Sequence, residues 1–132
     1  MVCSPEPRNA RVTQFAVMTM ISIKKGNIMP TLPTLTTLHR AEFPDGYATV
    51  LVLIENAAGA PPHTHPGLEM TYILEGEAKL MVDGRSDQAL KPGDWFEVPA
   101  GVPHSVEIVG DKPGRALAHY VVERDKPIAT WL

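Results

Sequence analysis

Apolar and β-branched residues along this chain come in short runs, and no segment keeps a helical period over three turns. Tyr47–Ile54, Met70–Leu74, Ala78–Val82, Trp95–Val98, His104–Val109 and Ala116–Val122 each read as a strand. The joints are made of turn formers: Glu75-Gly76-Glu77, Asp83-Gly84, Pro92-Gly93-Asp94, Pro99-Ala100-Gly101 and Lys112-Pro113-Gly114. Gly76 and Gly101 stand where tight turns favour positive φ, and Gly93 follows Pro92 in a turn before a strand. Many short strands at close spacing predict an all-β antiparallel sandwich or barrel.

The segment from Thr13 to Ile23 alternates as well, with Phe15, Val17, Ile21 and Ile23 on one face of an extended strand. A strand outside the barrel leaves its edges open. Pairing with a neighbouring sheet across a homodimer closes them; a ragged extension ahead of a start at Met18, Met20 or Met29 is the alternative. The expected organisation is an N-terminal arm over 1–34 and one barrel domain over 35–132.

Composition narrows the class. A chain of 132 residues and 14.4 kDa is one domain. Its 44% hydrophobic and 20% charged content is that of a soluble globular protein, which excludes disorder and coiled coil. The net charge of −3 gives no reason to expect nucleic acid as a partner. That charge is uneven. Residues 1–30 hold Arg8, Arg11, Lys24 and Lys25 against Glu6, a net of +3, which leaves −6 on the rest. A hook for nucleic acid or a membrane is one reading of a basic arm on an acidic body; contact with the acidic surface of its own or a partner subunit is the favoured one.

The single Cys3 cannot form an internal disulfide and fits a reducing, cytoplasmic compartment. Thr19 and Ser22 interrupt the apolar stretch Phe15 to Ile23, Lys24 and Lys25 follow it, and no small-x-small cleavage site appears, so it does not read as a signal peptide. No apolar run approaches the roughly 20 residues that span a bilayer, so no membrane partner is expected.

The chemistry is concentrated in His63-Thr64-His65-Pro66-Gly67-Leu68-Glu69. Two histidines at i and i+2 on a strand point to the same face. Glu69 follows the turn at Pro66-Gly67, at the start of the returning strand, where opposing Cβ atoms stand about 4.5–5.5 Å apart. His104 comes far along the chain, just after Pro99-Ala100-Gly101-Val102-Pro103, again at a strand start. Three imidazoles and one carboxylate form a mixed N/O set suited to one divalent Fe, Mn, Ni, Cu or Zn ion. A chance His-x-His is the bland alternative; a matched Glu and a third His argue against it.

These residues resemble the cupin superfamily. Its first motif, G-x5-H-x-H-x3,4-E-x6-G, is matched by His63, His65, Glu69 and Gly76, with Ala57 in place of the opening Gly. Its second, G-x5-P-x-G-x2-H-x3-N, is matched by Gly93, Pro99, Gly101 and His104, with Ile108 in place of the final Asn. The resemblance covers about residues 40–122 and is strongest to small single-domain, quercetin-dioxygenase-like bacterial cupins. It implies a double-stranded β-helix, or jelly-roll barrel, holding a metal on His63, His65, Glu69 and His104. The missing Asn leaves that ligand set whole and bears on what the pocket recognises.

If Glu69 faces inward, Thr71 and Ile73 face inward too, and Ile108 follows His104 into a mostly apolar pocket floor. His119 and Tyr120 are adjacent, so only one of them can face the ion, as a proton shuttle or substrate donor. His39 reads as structural or exposed. Glu69 is the candidate for a combined ligand and general base. The expectation is a metal-dependent dioxygenase, isomerase or lyase acting on a small oxygenated molecule. A non-catalytic sensor that binds a small ligand through the metal is the alternative, and an empty structural barrel the third.

Overall fold

In the computed structural model, all six strands read from the sequence are present, with the same or slightly wider bounds. The structure describes residues 33–132, together with the backbone of the short segments 10–11, 23–24 and 27–28. Its strands in chain order are β1 (Ala10–Arg11), β2 (Ile23–Lys24), β3 (Asn27–Ile28), β4 (Thr34–Glu42), β5 (Tyr47–Ala57), β6 (Gly59–Thr64) and β7 (Leu68–Glu75). β8 (Glu77–Val82), β9 (Gln88–Leu90), β10 (Trp95–Val98), β11 (His104–Val109), β12 (Gly114–Glu123) and β13 (Thr130–Trp131) follow. No helix occurs among the described residues.

The strands form two antiparallel sheets, ordered β1-β4-β5-β12-β7-β10 and β13-β6-β11-β8-β9, with β2 and β3 paired apart. This is the all-β antiparallel arrangement that the spacing of strands and turns predicts, and the jelly-roll barrel that the resemblance implies. Most of the proposed arm strand, Thr13 to Ile23, lies outside the described residues, and with it the pairing across a dimer.

Strict alternation makes β7 a two-faced strand. Glu69, Thr71 and Ile73 are buried while Met70 and Tyr72 are exposed. The interior between the sheets holds Ile73, Leu80, Val82, Leu90, Phe96 and Val98, with Val106 and Ile108 packed against them. A second cluster on the inner face of the larger sheet comprises Val50, Val52, Ala118, Tyr120 and Val122, with Leu35, Ile54 and Ile128 against it.

Among β4–β13, four strands fall outside the six runs read from the sequence. β4 has a bulge between Thr37 and His39, which breaks its period of two, and His39 is exposed on it. β6 contains Pro61 and Pro62, which argue against a strand. β9 and β13 are too short to show a period.

Gly76 and Gly101 have φ of 81° and 72°, in the left-handed region expected of them. Gly67 is needed for a different reason. A Cβ there would stand 1.8 Å from the Val121 carbonyl oxygen, so only glycine lets the β6–β7 turn cross β12 this closely.

Candidate metal centre

The site is assembled from both sheets. β11 lies between β6 and β8, and in that register His104 is directly opposite His63 on one side and Val82 on the other. β7 lies between β12 and β10, which places Glu69 opposite Tyr120 and Val98. The loop before β11 is tied to the first histidine pair by a hydrogen bond from Gly101 N to the His65 carbonyl, 2.9 Å. Two distant stretches of chain are thus held at one point.

His63, His65, Glu69 and His104 are all buried, none more than 5% exposed. One ligand atom from each lies within 4.8 Å of the others. His65 Nε2 and His104 Nε2 are each 2.9 Å from Glu69 Oε2, and His63 Nε2 is 3.1 Å from His65 Nε2. Thr71 Oγ1 donates to the other carboxylate oxygen, Oε1, at 2.7 Å.

The far side of each ring determines what the near side offers. His63 Nδ1 is 2.6 Å from the Pro61 carbonyl, His65 Nδ1 2.6 Å from that of Ile128, and His104 Nδ1 2.9 Å from that of Val102. A carbonyl oxygen only accepts, so all three Nδ1 atoms carry the proton and donate it. A neutral imidazole so fixed presents a bare Nε2 lone pair. Three such nitrogens and a carboxylate converge on one buried point, where they repel unless protons or a cation lie between them. The donor set therefore fits a single divalent transition metal.

The titration behaviour agrees with that geometry. Burial, with the neighbouring His104 and His65, lowers His63 to about 4, so it stands neutral and ligand-ready at pH 7. Burial alone would raise Glu69, but hydrogen bonds from His104, His65 and Thr71 outweigh it and hold the carboxyl well below its usual range. Burial likewise works against a charged His104, yet its bonds to Glu69 and the Val102 carbonyl raise it.

Tyr120 faces this cluster, its ring centroid 5.0 Å from that of His65. Burial and the Glu69 charge raise its hydroxyl well above the ordinary value, so the phenol stays neutral. His119 turns the opposite way, where its Nε2 bonds Thr49 Oγ1. Of the two neighbours, the inward place belongs to Tyr120. Thr71 contacts Glu69 directly, whereas Ile73 and Ile108 belong to the apolar interior between the sheets.

Sequence reasoning missed Ile128, whose carbonyl fixes His65, and Trp131, whose indole lies 4.8 Å from the His63 ring. A backbone carbonyl leaves no mark in a sequence, and a lone Trp far from the motif gives no sign of what it packs against.

The family model for the cupin domain matches residues 50–120. The chain belongs to the cupin family. Among relatives, this cupin is 36% identical to dimethylsulfoniopropionate lyase DddQ of Ruegeria pomeroyi over 73 residues, which take in 55% of this chain and 36% of that protein. The crystal structure of that lyase aligns with a TM-score of 0.52 at 30% identity, over 66% of this chain and 43% of that one. Acireductone dioxygenase of Rhodopseudomonas palustris is 35% identical over 60 residues, 43% of this chain and 36% of that protein. Oxalate decarboxylase of Bacillus subtilis, which has Mn(II) centres, aligns with a TM-score of 0.57 at 26% identity, over 80% of this chain and 29% of that one. The chain spans little more than a third of the length of these two curated relatives.

Proposed function

We propose that this cupin is a metal-dependent enzyme acting on a small oxygenated organic molecule, with a small carboxylate as the first class to test. The observation that carries the reading is the convergence of His63, His65 and His104 Nε2 with the Glu69 carboxylate, each imidazole turned inward by a carbonyl behind it. The relatives support the substrate class, since two of them are named for small carboxylates, dimethylsulfoniopropionate and oxalate.

His63, His65, Glu69 and His104 would hold the ion, which when bound supplies Lewis acidity to a coordinated substrate oxygen. The protein's own part is orientation and proton control. Thr71 holds Glu69 Oε1, so a turn of the carboxylate toward substrate as a general base costs that hydrogen bond and works against a depressed pKa. The neutral phenol of Tyr120, buried beside His65, is the better proton donor. Val50, Val52 and Ile128 pack with Tyr120 in one apolar cluster. Lyase, decarboxylase and dioxygenase chemistry all remain within this frame.

The test is elemental analysis of protein purified without an affinity tag or chelator, beside His104→Ala, followed by turnover assays on a panel of small carboxylates. About one equivalent of Fe, Mn, Ni, Cu or Zn, absent from the variant, together with metal-dependent turnover, is the expected result. Tight binding of a panel member without turnover favours the sensor. Protein that neither contains nor takes up metal overturns the reading.

This cupin is further read as a homodimer with residues 1–34 as the arm. The +3 of residues 1–30 against −6 on the rest supports contact between arm and body. Sedimentation of the full chain at several ionic strengths measures it, and a monomer under all of them removes the reading.

A further inference from the structure

Two of the three histidines are fixed by the chain just before them and the third is not. His63 and His104 each donate Nδ1–H to a carbonyl two residues earlier, a contact local to the chain. His65 Nδ1 instead reaches the carbonyl of Ile128, a residue 63 positions away in the chain. That carbonyl belongs to a segment zipped along β6. In β13, Thr130 pairs with Thr64 and Trp131 with His63, and Leu132 N donates to the Pro62 carbonyl at 3.1 Å. The Trp131 indole leans on the His63 imidazole with 4.8 Å between centroids and 41° between planes. The Ile128 side chain packs into the cluster that contains Tyr120.

We propose that Ile128–Leu132 is a positioning strap for the metal centre: the Ile128 carbonyl fixes the tautomer and orientation of His65, while Trp131 fixes the ring of His63. The inference rests on the metal reading above. It assigns the segment a task beyond closing the barrel. A free imidazole can turn over and offer either nitrogen, whereas one whose Nδ1–H is engaged offers only Nε2. Loss of such a partner behind a metal-bound histidine costs about 10- to 100-fold in affinity. Here one segment stands behind two ligands, so its loss acts on both.

The test uses the full chain, a variant lacking residues 128–132, Trp131→Ala and Trp131→Phe. Each is stripped of metal, loaded with cobalt(II) and titrated against a chelator. The visible absorption of the bound cobalt reports the geometry of the ligands independently of activity. Far-UV circular dichroism and thermal unfolding of the metal-free proteins report folding.

The strap predicts that the truncated protein binds cobalt about 10- to 100-fold more weakly, with shifted and broadened bands. Trp131→Ala loses less, and Trp131→Phe, which keeps a ring against His63, stays near the full chain. Should the truncated protein fail to fold, the contrast between Trp131→Ala and Trp131→Phe decides alone. A folded truncated protein, or in its absence Trp131→Ala, with unchanged affinity and spectrum overturns the strap and leaves the metal reading standing. A full chain that takes up no cobalt, zinc or manganese overturns both.

Discussion

His104 stands directly opposite His63 in the antiparallel pairing of β11 with β6, and the two imidazoles are held by the same local device. Each gives its Nδ1 proton to the carbonyl two residues earlier, that of Pro61 for His63 and of Val102 for His104. In both places a proline stands immediately before the histidine, Pro62 and Pro103. Proline fixes its own φ and keeps the preceding residue extended, which holds the accepting carbonyl in place. The prolines that argue against a strand at β6 are therefore part of how its histidine is aimed.

That arrangement has a pH signature in the metal-free protein. His63 is lowered to about 4 against an ordinary 6.5, so between those values the unfolded chain binds a proton that the folded chain refuses. Stability must fall as pH drops from 6.5 toward 4. His104 is shifted upward, so its contribution is intact below 6.5 and is lost only as pH rises through its raised value. Glu69 is depressed and begins to lose its contribution only below its ordinary 4.5. Chemical denaturation of chelator-treated protein across this range should show the acid loss, and His63→Gln should flatten it. An equally steep loss in the variant would assign the effect elsewhere.

Thr71 is expected to hold the carboxylate for the ion. Its hydroxyl is the partner of Glu69 Oε1, and the side chain is buried. A hydrogen bond to a charged acceptor contributes about 1.5–3 kcal/mol, which corresponds to roughly ten- to a hundredfold in an equilibrium. Thr71→Val, nearly the same shape, should fold normally and bind metal weaker by about that factor, while Thr71→Ser restores most of the loss. Chelator competition measures it; equal affinity in all three proteins would show that the ion fixes Glu69 unaided.

How much of this could be read from the chain follows from the range of the interactions. The β7 alternation of Glu69, Thr71 and Ile73 against Met70 and Tyr72 is local, and it gave both the strand and its inward face. The gathering of His63, His65, Glu69 and His104 was legible because the spacing around turns carries it. The choice of Tyr120 over His119 was not. It depends on which way β12 pairs with β5 and β7, a long-range register without a local mark. The Ile128 carbonyl was beyond reach for the same reason, since a distant backbone group has no residue type to announce it. β4 was hidden by its bulge, which shifts the pattern midway.

Tyr120→Phe separates proton transfer from binding. The ring that packs with Val50, Val52 and Ile128 is kept and only the hydroxyl is lost. Metal content and thermal stability should match the parent protein. If Tyr120 donates a proton in the reaction, kcat on the substrate found by the panel should fall by about 10²–10⁴, with KM changed far less. A rise in KM at constant kcat would instead make the phenol a substrate-binding group.

Gly67 gives the sharpest structural prediction. The β6–β7 turn that separates His65 from Glu69 passes so close to β12 that a Cβ would stand 1.8 Å from the Val121 oxygen and 2.7 Å from the Val121 carbonyl carbon. Both atoms are backbone in a paired strand, so neither can yield without breaking the ladder between β12 and its neighbours. Overpacking of this kind costs typically 1–3 kcal/mol and more where the obstacle cannot move. Gly84 makes the control. Its φ of +78° strains any side chain, but nothing lies within 4 Å of the added Cβ, so Gly84→Ala should cost only about 1–2 kcal/mol. In urea denaturation Gly67→Ala should fall well below Gly84→Ala, and whatever folded fraction remains should bind metal poorly, because the displaced turn carries Glu69 with it. Two variants of equal stability would mean that the turn does not cross β12 as described.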